Sequence, residues 1–299
     1  MSKAIVFPGQ GSQIVGMTED LYKKSSDCRN LFSQANDLLG FDLSSICFRG
    51  PQETLNQSNY AQLGIFVSSV ALFNYMNKNE PTNDISYLAG HSLGEWTALH
   101  IAGTTSFIDT IKILEARGRF MQEACDHENG AMLAVINLES EELINISKKV
   151  GCSVANFNSP MQTVLSGSVD SINNAENLAI KNGAKRAIKL PVAGAFHSPL
   201  MNLAAEKMNN FLIDFDLKSP RMNVLSNVTG EIHKFSEIRK CMVKQIVSPV
   251  RWVDCVKTLS NNGVSEIIEC GPGKVLTGLV KRIDKNLKVR NISQISDIN

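Results

Sequence analysis

The stretch LAGHSLGEWTAL, residues 88–99, sets Gly90-His91-Ser92-Leu93-Gly94 between an apolar run and a helix-like one. Gly-x-Ser-x-Gly at a strand-to-helix junction is the pattern of a nucleophile elbow, a sharp turn that exposes a serine hydroxyl. The glycines allow a close backbone approach that side chains would block. Five residues are a short motif, and they also fit a glycine-rich turn with an incidental serine. The rest of the chain has to decide between the two.

Working outward, residues 85–89 read as a strand ending at the elbow, and Lys3–Phe7 as a buried strand that stops at Pro8-Gly9. Leu93 to Ala102 reads as a helix closed by Gly103, and Asp109 is placed to cap another running to about Ala124. Strand then helix, repeated, predicts an α/β architecture. The middle differs. AMLAVIN (131–137) and ESEELINISKKV (139–150) read as strand and helix. CSVANFN and QTVLSG follow as strands, VDSINNAENLAIKNG as a helix, and AKRAIKLPV as a last strand. That βαββαβ order is the ferredoxin-like split pattern. It predicts a small subdomain over residues 128–193, inserted in a large one formed by 1–127 and 194–299. Beyond it, MNVLS (222–226) and VSEIIEC (264–270) read as strands, and Gly271-Pro272-Gly273 leads into KVLTGLVKRI, a basic amphipathic helix.

The 299 residues suit one large domain, or a large domain with a smaller one inserted. Apolar residues make up 43% and charged ones 20%, as in ordinary globular proteins, and the net charge is +1. With no basic excess, nucleic acid is not an expected partner. The N-terminal apolar run, Ala4–Phe7, is too short for a secretion signal, and no stretch is long enough to span a bilayer, so no membrane role is expected. Seven cysteines, odd in number and widely spaced, contain no CxxC pair. They read as reduced thiols of a cytoplasmic protein, with no metal site.

A serine hydroxyl needs a base to become a nucleophile. At an elbow it also sits at a helix N-terminus, where free N–H groups favour developing negative charge. Five histidines are available. His91 adjoins Ser92 and should point away from it, as a turn or core residue. His100 reads as a packing residue, and His127 and His233 stand in polar, loop-like surroundings and should be solvated. His197, in VAGAFHSPL, lies where the chain returns to the larger unit. Arg117 sits in a helix with Ile111, Leu114, Ala116 and Phe120, and by itself reads as a solvated or snorkelling side chain. PGQGSQ (8–13) follows the first strand, but neither GxGxxG nor GxxxxGK[ST] occurs there, so it is not a phosphate loop.

PGQGSQ, GHSLGE (90–95), Arg117 within EARGRFMQE, GAFHS (194–198) and GPGKVLTGLVKR (271–282) occur in the order found in one family. Over nearly its whole length the chain resembles the malonyl-CoA:acyl carrier protein transacylases of fatty acid and polyketide synthesis. The resemblance implies an α/β-hydrolase-like large subdomain with an inserted ferredoxin-like small one. It implies that Ser92 carries the acyl group as an ester, that His197 is its base, and that the backbone N–H groups of Leu93 and Gln10 form the oxyanion hole. No carboxylate near His197 in sequence suggests itself as the acid of a triad; the resemblance implies instead that the Gln245 backbone carbonyl orients the imidazole. A plain helix-end glutamine is the other reading of that position. Arg117 becomes the guanidinium that forks onto the malonyl carboxylate, a task for which bidentate geometry suits arginine.

Gln62 and Asn227 fall on family positions lining the pocket. The chain departs from the family at Ala61-Gln62-Leu63-Gly64, where Thr-Gln-Pro-Ala is commoner, and at Trp96, where tyrosine or phenylalanine is. The resemblance also implies malonyl rather than a methyl-branched acyl group, since relatives that accept methylmalonyl often have glutamine where Leu93 follows the serine, and the bulky ring of Phe196 before His197 would crowd an α-methyl branch. The implied partners are malonyl-CoA, as substrate, and acyl carrier protein; no cofactor or metal is implied, and a monomer is expected. Lys185, Arg186, Lys189, Lys281 and Arg282 offer a basic docking face for an acidic carrier, or are ordinary solvated side chains. The rival readings are a free-standing acyltransferase or acyl hydrolase of a polyketide synthase, and a silent subunit that only docks carrier protein. An ordinary esterase fits less well, for want of an HGGG-type loop.

Overall fold

The computed structural model describes residues 2–80 and 84–298. Its strands there are β1 (Ser2–Phe7), β2 (Ile85–Gly90), β3 (Gly130–Ile136), β4 (Ser153–Ser159), β5 (Gln162–Ser168), β6 (Arg186–Lys189), β7 (Asn223–Val224), β8 (Val264–Cys270) and β9 (Lys288–Ile292). They form two sheets.

The first sheet has the order β7-β2-β1-β8-β9 and every pairing in it is parallel. Its central strands are buried on both faces, as parallel sheets require. In β1, Ile5 and Phe7 join one core, with Leu63 and Phe66 of helix Ser58–Asn79 and Leu99 of helix Leu93–Ile101. Ala4 and Val6 join the opposite core, with Trp252 and Val256 of helix Trp252–Asn261 and Leu276 and Leu279 of helix Val275–Ile283. The two-residue side-chain period of a strand accounts for that division.

The second sheet, β4-β5-β3-β6, is antiparallel throughout. Helices Ser140–Val150 and Val169–Lys181 cover one face, where Leu133, Val135 and Leu165 meet Leu143, Ile146, Ile172 and Ala175. Met132, Ala134, Ala155 and Val164 turn the other way, into the core of the first sheet. The molecule is therefore α/β, with an α/β-hydrolase-like parallel sheet and a ferredoxin-like antiparallel one. Backbone hydrogen bonds tie β4 to the segment just before helix Trp252–Asn261: Phe157 N–H donates to Val250 O (2.9 Å), and Val250 N–H to Ala155 O (2.8 Å).

Several elements differ from the sequence reading. The helix expected to be capped by Asp109 runs from Phe107 to His127, and its cap is Ser106, whose hydroxyl accepts the Asp109 N–H. The last strand of the antiparallel sheet covers only Arg186–Lys189, shortly before Pro191, which has no N–H for a ladder. MNVLS yields only Asn223–Val224, paired with Tyr87 and Leu88. Helix Ser58–Asn79 and strand β9 carry no clear sequence signal. The helix is buried from Ala61 through Leu72 on every side, so it lacks an amphipathic stripe. Strand β9 lies at a sheet edge and is broken by charged residues.

Candidate active site

The elbow follows from two glycines. A Cβ on Gly90 would stand 1.9 Å from the Gly94 carbonyl carbon, and one on Gly94 would stand 2.1 Å from Phe7 O. Only hydrogen fits at either place, so strand β2 and the helix Leu93–Ile101 cross in near contact. Ser92 between them is forced to φ 53°, ψ −108°. Side-chain backbones avoid that region, and such strain marks functional turns. Asn227, in the loop after β7, holds the turn. Its Oδ1 accepts the Ser92 N–H (2.7 Å) and its Nδ2 donates to Gly90 O (2.8 Å). Asn227 is fully buried beneath the elbow and does not line the cavity, contrary to the expectation for it.

His197 meets Ser92 from a residue 105 positions away, with Nε2 2.9 Å from Oγ. Its Nδ1 lies 2.8 Å from Gln245 O. A carbonyl only accepts, so Nδ1 carries the hydrogen and Nε2 offers a lone pair to the serine. Burial, with the Arg117 charge and His91 nearby, pulls His197 down to about 3, against the opposing pull of the Gln245 carbonyl. The imidazole is thus a neutral acceptor at ordinary pH.

Gln245, the last residue of helix Ile238–Gln245, is more than a helix-end glutamine. Its side chain is fully buried. Nε2 donates to Ser92 O (2.9 Å) and to Glu95 Oε2 (2.6 Å), and Oε1 accepts from Arg117 Nη2 (3.2 Å).

Arg117 is only 2% exposed, which removes the solvated reading. Nη1 donates to Gln62 Oε1 (2.5 Å) and Nη2 to Ser92 Oγ (3.1 Å), while Nε–H has no acceptor among the described residues. Burial lowers the guanidinium to about 10, which leaves it cationic at neutral pH. Gln62 is wholly buried behind Arg117 rather than on the cavity wall, and Ala61–Gly64 lie inside a helix with no turn. The structure brings Gln10 and Leu93 to the same cavity. The Leu93 N–H opens its helix, where such groups lack an intrahelical partner; neither it nor the Gln10 N–H finds an acceptor among the described residues.

The cavity has a volume of about 390 Å³. Ser92, His197 and Arg117 line it with other polar groups such as Gln10, His91 and Asn156, and Met121, Met132, Leu190, Val192 and Phe196 form apolar wall. Among the described residues no group of three or more His, Cys, Asp or Glu is gathered where it could hold a metal.

The other histidines divide. His91 lines the cavity, with Nε2 2.9 Å from Asn158 Oδ1, and does not hydrogen-bond Ser92 Oγ. His100 packs on Phe66 and Phe107, and His127 is exposed. His233 is a correction to the expectation of a solvated ring. It is buried, and its Nε2 lies 2.6 Å from Glu95 Oε1. Burial works against its charge, but Cys241 and Glu95 outweigh that and push it up to about 9. Glu95 itself was in the GHSLGE motif, one helical turn past Ser92, and that spacing was the available signal for it. His233 gave none, because only the fold brings residue 233 to residue 95.

Fold and site together define an α/β-hydrolase-like protein with a serine–histidine pair at its elbow. The family model described as the acyl transferase domain matches residues 4–296. The chain is 40% identical to the malonyl CoA-acyl carrier protein transacylase of Haemophilus influenzae, over 99% of this chain and 96% of that protein. It superposes on an acyl-carrier-protein-S-malonyltransferase from Bartonella henselae with a TM-score of 0.96 at 36% identity, covering 100% and 97% of the two chains. A malonyl-transacylase solved in complex with its holo acyl carrier protein, from a type II polyketide system, gives 0.96 at 37%, covering 100% and 98%. The chain belongs to the acyl transferase family, among its malonyl-CoA:acyl carrier protein transacylases.

No helix among the described residues is long and apolar enough to cross a membrane.

Proposed function

We propose that the chain moves a malonyl group from malonyl-CoA to the phosphopantetheine thiol of acyl carrier protein, supplying extender units for fatty acid synthesis. One observation carries the reading. Beside the Ser92–His197 pair stands a buried guanidinium, Nη2 of Arg117, 3.1 Å from the serine oxygen. That is the place for an acyl group ending in a carboxylate.

In the first half-reaction Ser92 Oγ attacks the thioester carbonyl while its proton passes to His197 Nε2. The Leu93 and Gln10 N–H groups receive the oxyanion. The C–S bond then breaks, and the imidazolium gives its proton to the departing CoA thiolate. In the second half, the carrier thiol gives its proton to His197 and attacks the ester carbonyl. The Ser92 oxygen leaves and recovers that proton. Arg117 pairs with the malonyl carboxylate through both halves, and Phe196 crowds any branch next to the carbonyl.

The reading treats 1–127 with 194–299 as the large subdomain and 128–193 as the small one. A monomer is the acting unit in this reading. Seven free cysteines fit a reducing, cytoplasmic setting. Carrier protein as partner is supported by the relative solved in complex with one.

The test is intact-protein mass spectrometry. Malonyl-CoA should add one malonyl group at Ser92, and holo acyl carrier protein should remove it while gaining the same mass. An enzyme that takes no label overturns the reading. A label released to water and never to the carrier makes the chain a hydrolase.

A further inference from the structure

Beneath the elbow lies a buried cluster that the reaction steps above do not use. Glu95 is wholly buried in the first turn after Ser92. Its Oε2 accepts from Gln245 Nε2 (2.6 Å) and from the Asn227 N–H (3.2 Å). Its Oε1 meets His233 Nε2 at 2.6 Å, and both side chains are fully shielded from solvent. A buried carboxylate without a counter-charge is strongly disfavoured. Two cations are near enough to serve, His233 in direct contact and Arg117 across the Gln245 side chain.

The contacts point to His233. Arg117 donates only to neutral oxygens, those of Gln62, Ser92 and Gln245. Among the described residues no carboxylate lies within ion-pair distance of it. We propose that His233 is a specificity-determining residue: as the counter-ion of Glu95 it leaves the Arg117 charge uncompensated, and so available to the carboxylate of the incoming acyl group. The cluster then carries one negative and two positive charges, an excess of one cation at the acyl pocket. With His233 removed, Glu95 would turn its field on Arg117 and cancel that excess. The remaining titratable neighbours do not alter the balance. Burial holds Cys255 as a thiol, and His197 is neutral. His233 acts through Glu95 and Arg117 and touches no reacting atom.

The inference rests on the malonyl-transfer reading, and its test separates the two. Acylation of Ser92 by malonyl-CoA and by acetyl-CoA is measured as kcat/KM for wild type, His233→Gln, and Glu95→Gln/His233→Gln. Both substrates share the CoA portion, so their ratio reports the carboxylate alone. His233→Gln should lower the malonyl-to-acetyl ratio about tenfold or more, the scale expected for a charge pair disturbed in a buried site. The double variant, with the competing carboxylate also gone, should bring the ratio back to within about threefold of wild type, as coupled sites do. A histidine that only packs would lower both rates together, and Glu95→Gln would not restore the ratio. An unchanged ratio in His233→Gln, or no recovery in the double variant, overturns the inference. If His233→Gln does not fold, His233→Lys keeps a cation beside Glu95 and should hold the wild-type ratio; a tenfold loss there overturns it as well. A wild-type enzyme that takes no malonyl label overturns both readings, whereas a labelled wild type with an unmoved ratio overturns this one alone.

Discussion

The two sheets make unequal contributions to the site. The parallel sheet delivers the reacting end of the site: Gln10 from the loop after β1 and Ser92 at the end of β2 line the cavity, and Asn227 from the loop after β7 holds the elbow from beneath. All three leave the carboxyl ends of parallel strands, where open α/β sheets place their ligands. The antiparallel sheet delivers wall: Met132 from β3, Asn156 from β4, and Leu190 to Val192 just after β6. Parallel strands all end on one side, so their loops converge, and convergence is what a multi-residue site needs. An antiparallel sheet sends its loops to both ends and offers a face instead. Chemistry should therefore fail when loops of the first sheet are cut, and only shift when the face of the second is altered.

The sharpest form of that contrast is Ser92→Ala. Malonyl ester formation should vanish, while far-UV circular dichroism and melting stay near wild type, because the change deletes one oxygen. A malonyl adduct of normal yield on this variant would move the nucleophile elsewhere.

His197→Ala comes next. General-base catalysis contributes about 10²–10⁴-fold, and the rate of Ser92 acylation should fall by that order. The same residue predicts a pH profile. Burial and Arg117 pull His197 to about 3, so its base form persists as pH falls through 6.5. The rate of acylation should have no acid limb near 6.5, and any limb from this group should lie well below pH 5. An inflection near 6.5 that disappears in His197→Ala would show a hydrated imidazole and a more open site.

These predictions also mark what the sequence made legible. Ser92 was readable because a strained elbow needs glycine at 90 and 94, a local demand. His197 and Arg117 were not local. Arg117 on an apolar helix looks like any amphipathic arginine, and only the order of five motifs singled it out. The βαββαβ order was readable because each element of the antiparallel sheet is patterned and bounded by turns. Helix Ser58–Asn79 was not, because burial on all sides erases its period. Asn227 and Gln62 were placed on the pocket wall by resemblance, whereas each works from behind it, on the elbow and on Arg117. Glu95 and His233 form their pair through a contact spanning 138 positions, and such contacts leave no spacing to read.

Arg117→Ala should come third. A malonyl carboxylate would enter a partly desolvated pocket without its partner, and a broken buried pair can cost about 3–5 kcal/mol. Malonyl kcat/KM should fall about 10²-fold or more, while acetyl kcat/KM falls little or rises. Equal losses for both would make Arg117 a structural residue holding Gln62, Ser92 and Gln245 in place.

The smallest effect should come from the antiparallel sheet. Asn158, in β4, takes part in that sheet's side-chain hydrogen bond to the elbow, through His91 Nε2 at 2.9 Å. Neither residue bonds Ser92 Oγ or His197, so the bond steadies the cavity wall against the elbow without entering the chemistry. A typical intramolecular hydrogen bond contributes about 0.5–1.5 kcal/mol, so Asn158→Ala should slow acylation by no more than about tenfold. His91→Ala breaks the same bond and should cost a similar amount, far less than His197→Ala. Because the two changes remove one interaction, the double variant should be little worse than either single one, a coupling that a double-mutant cycle measures directly. Additive losses would mean that the two side chains act separately. A loss from Asn158→Ala as deep as that from His197→Ala would bring the antiparallel sheet into the chemistry and undo the division of labour between the sheets.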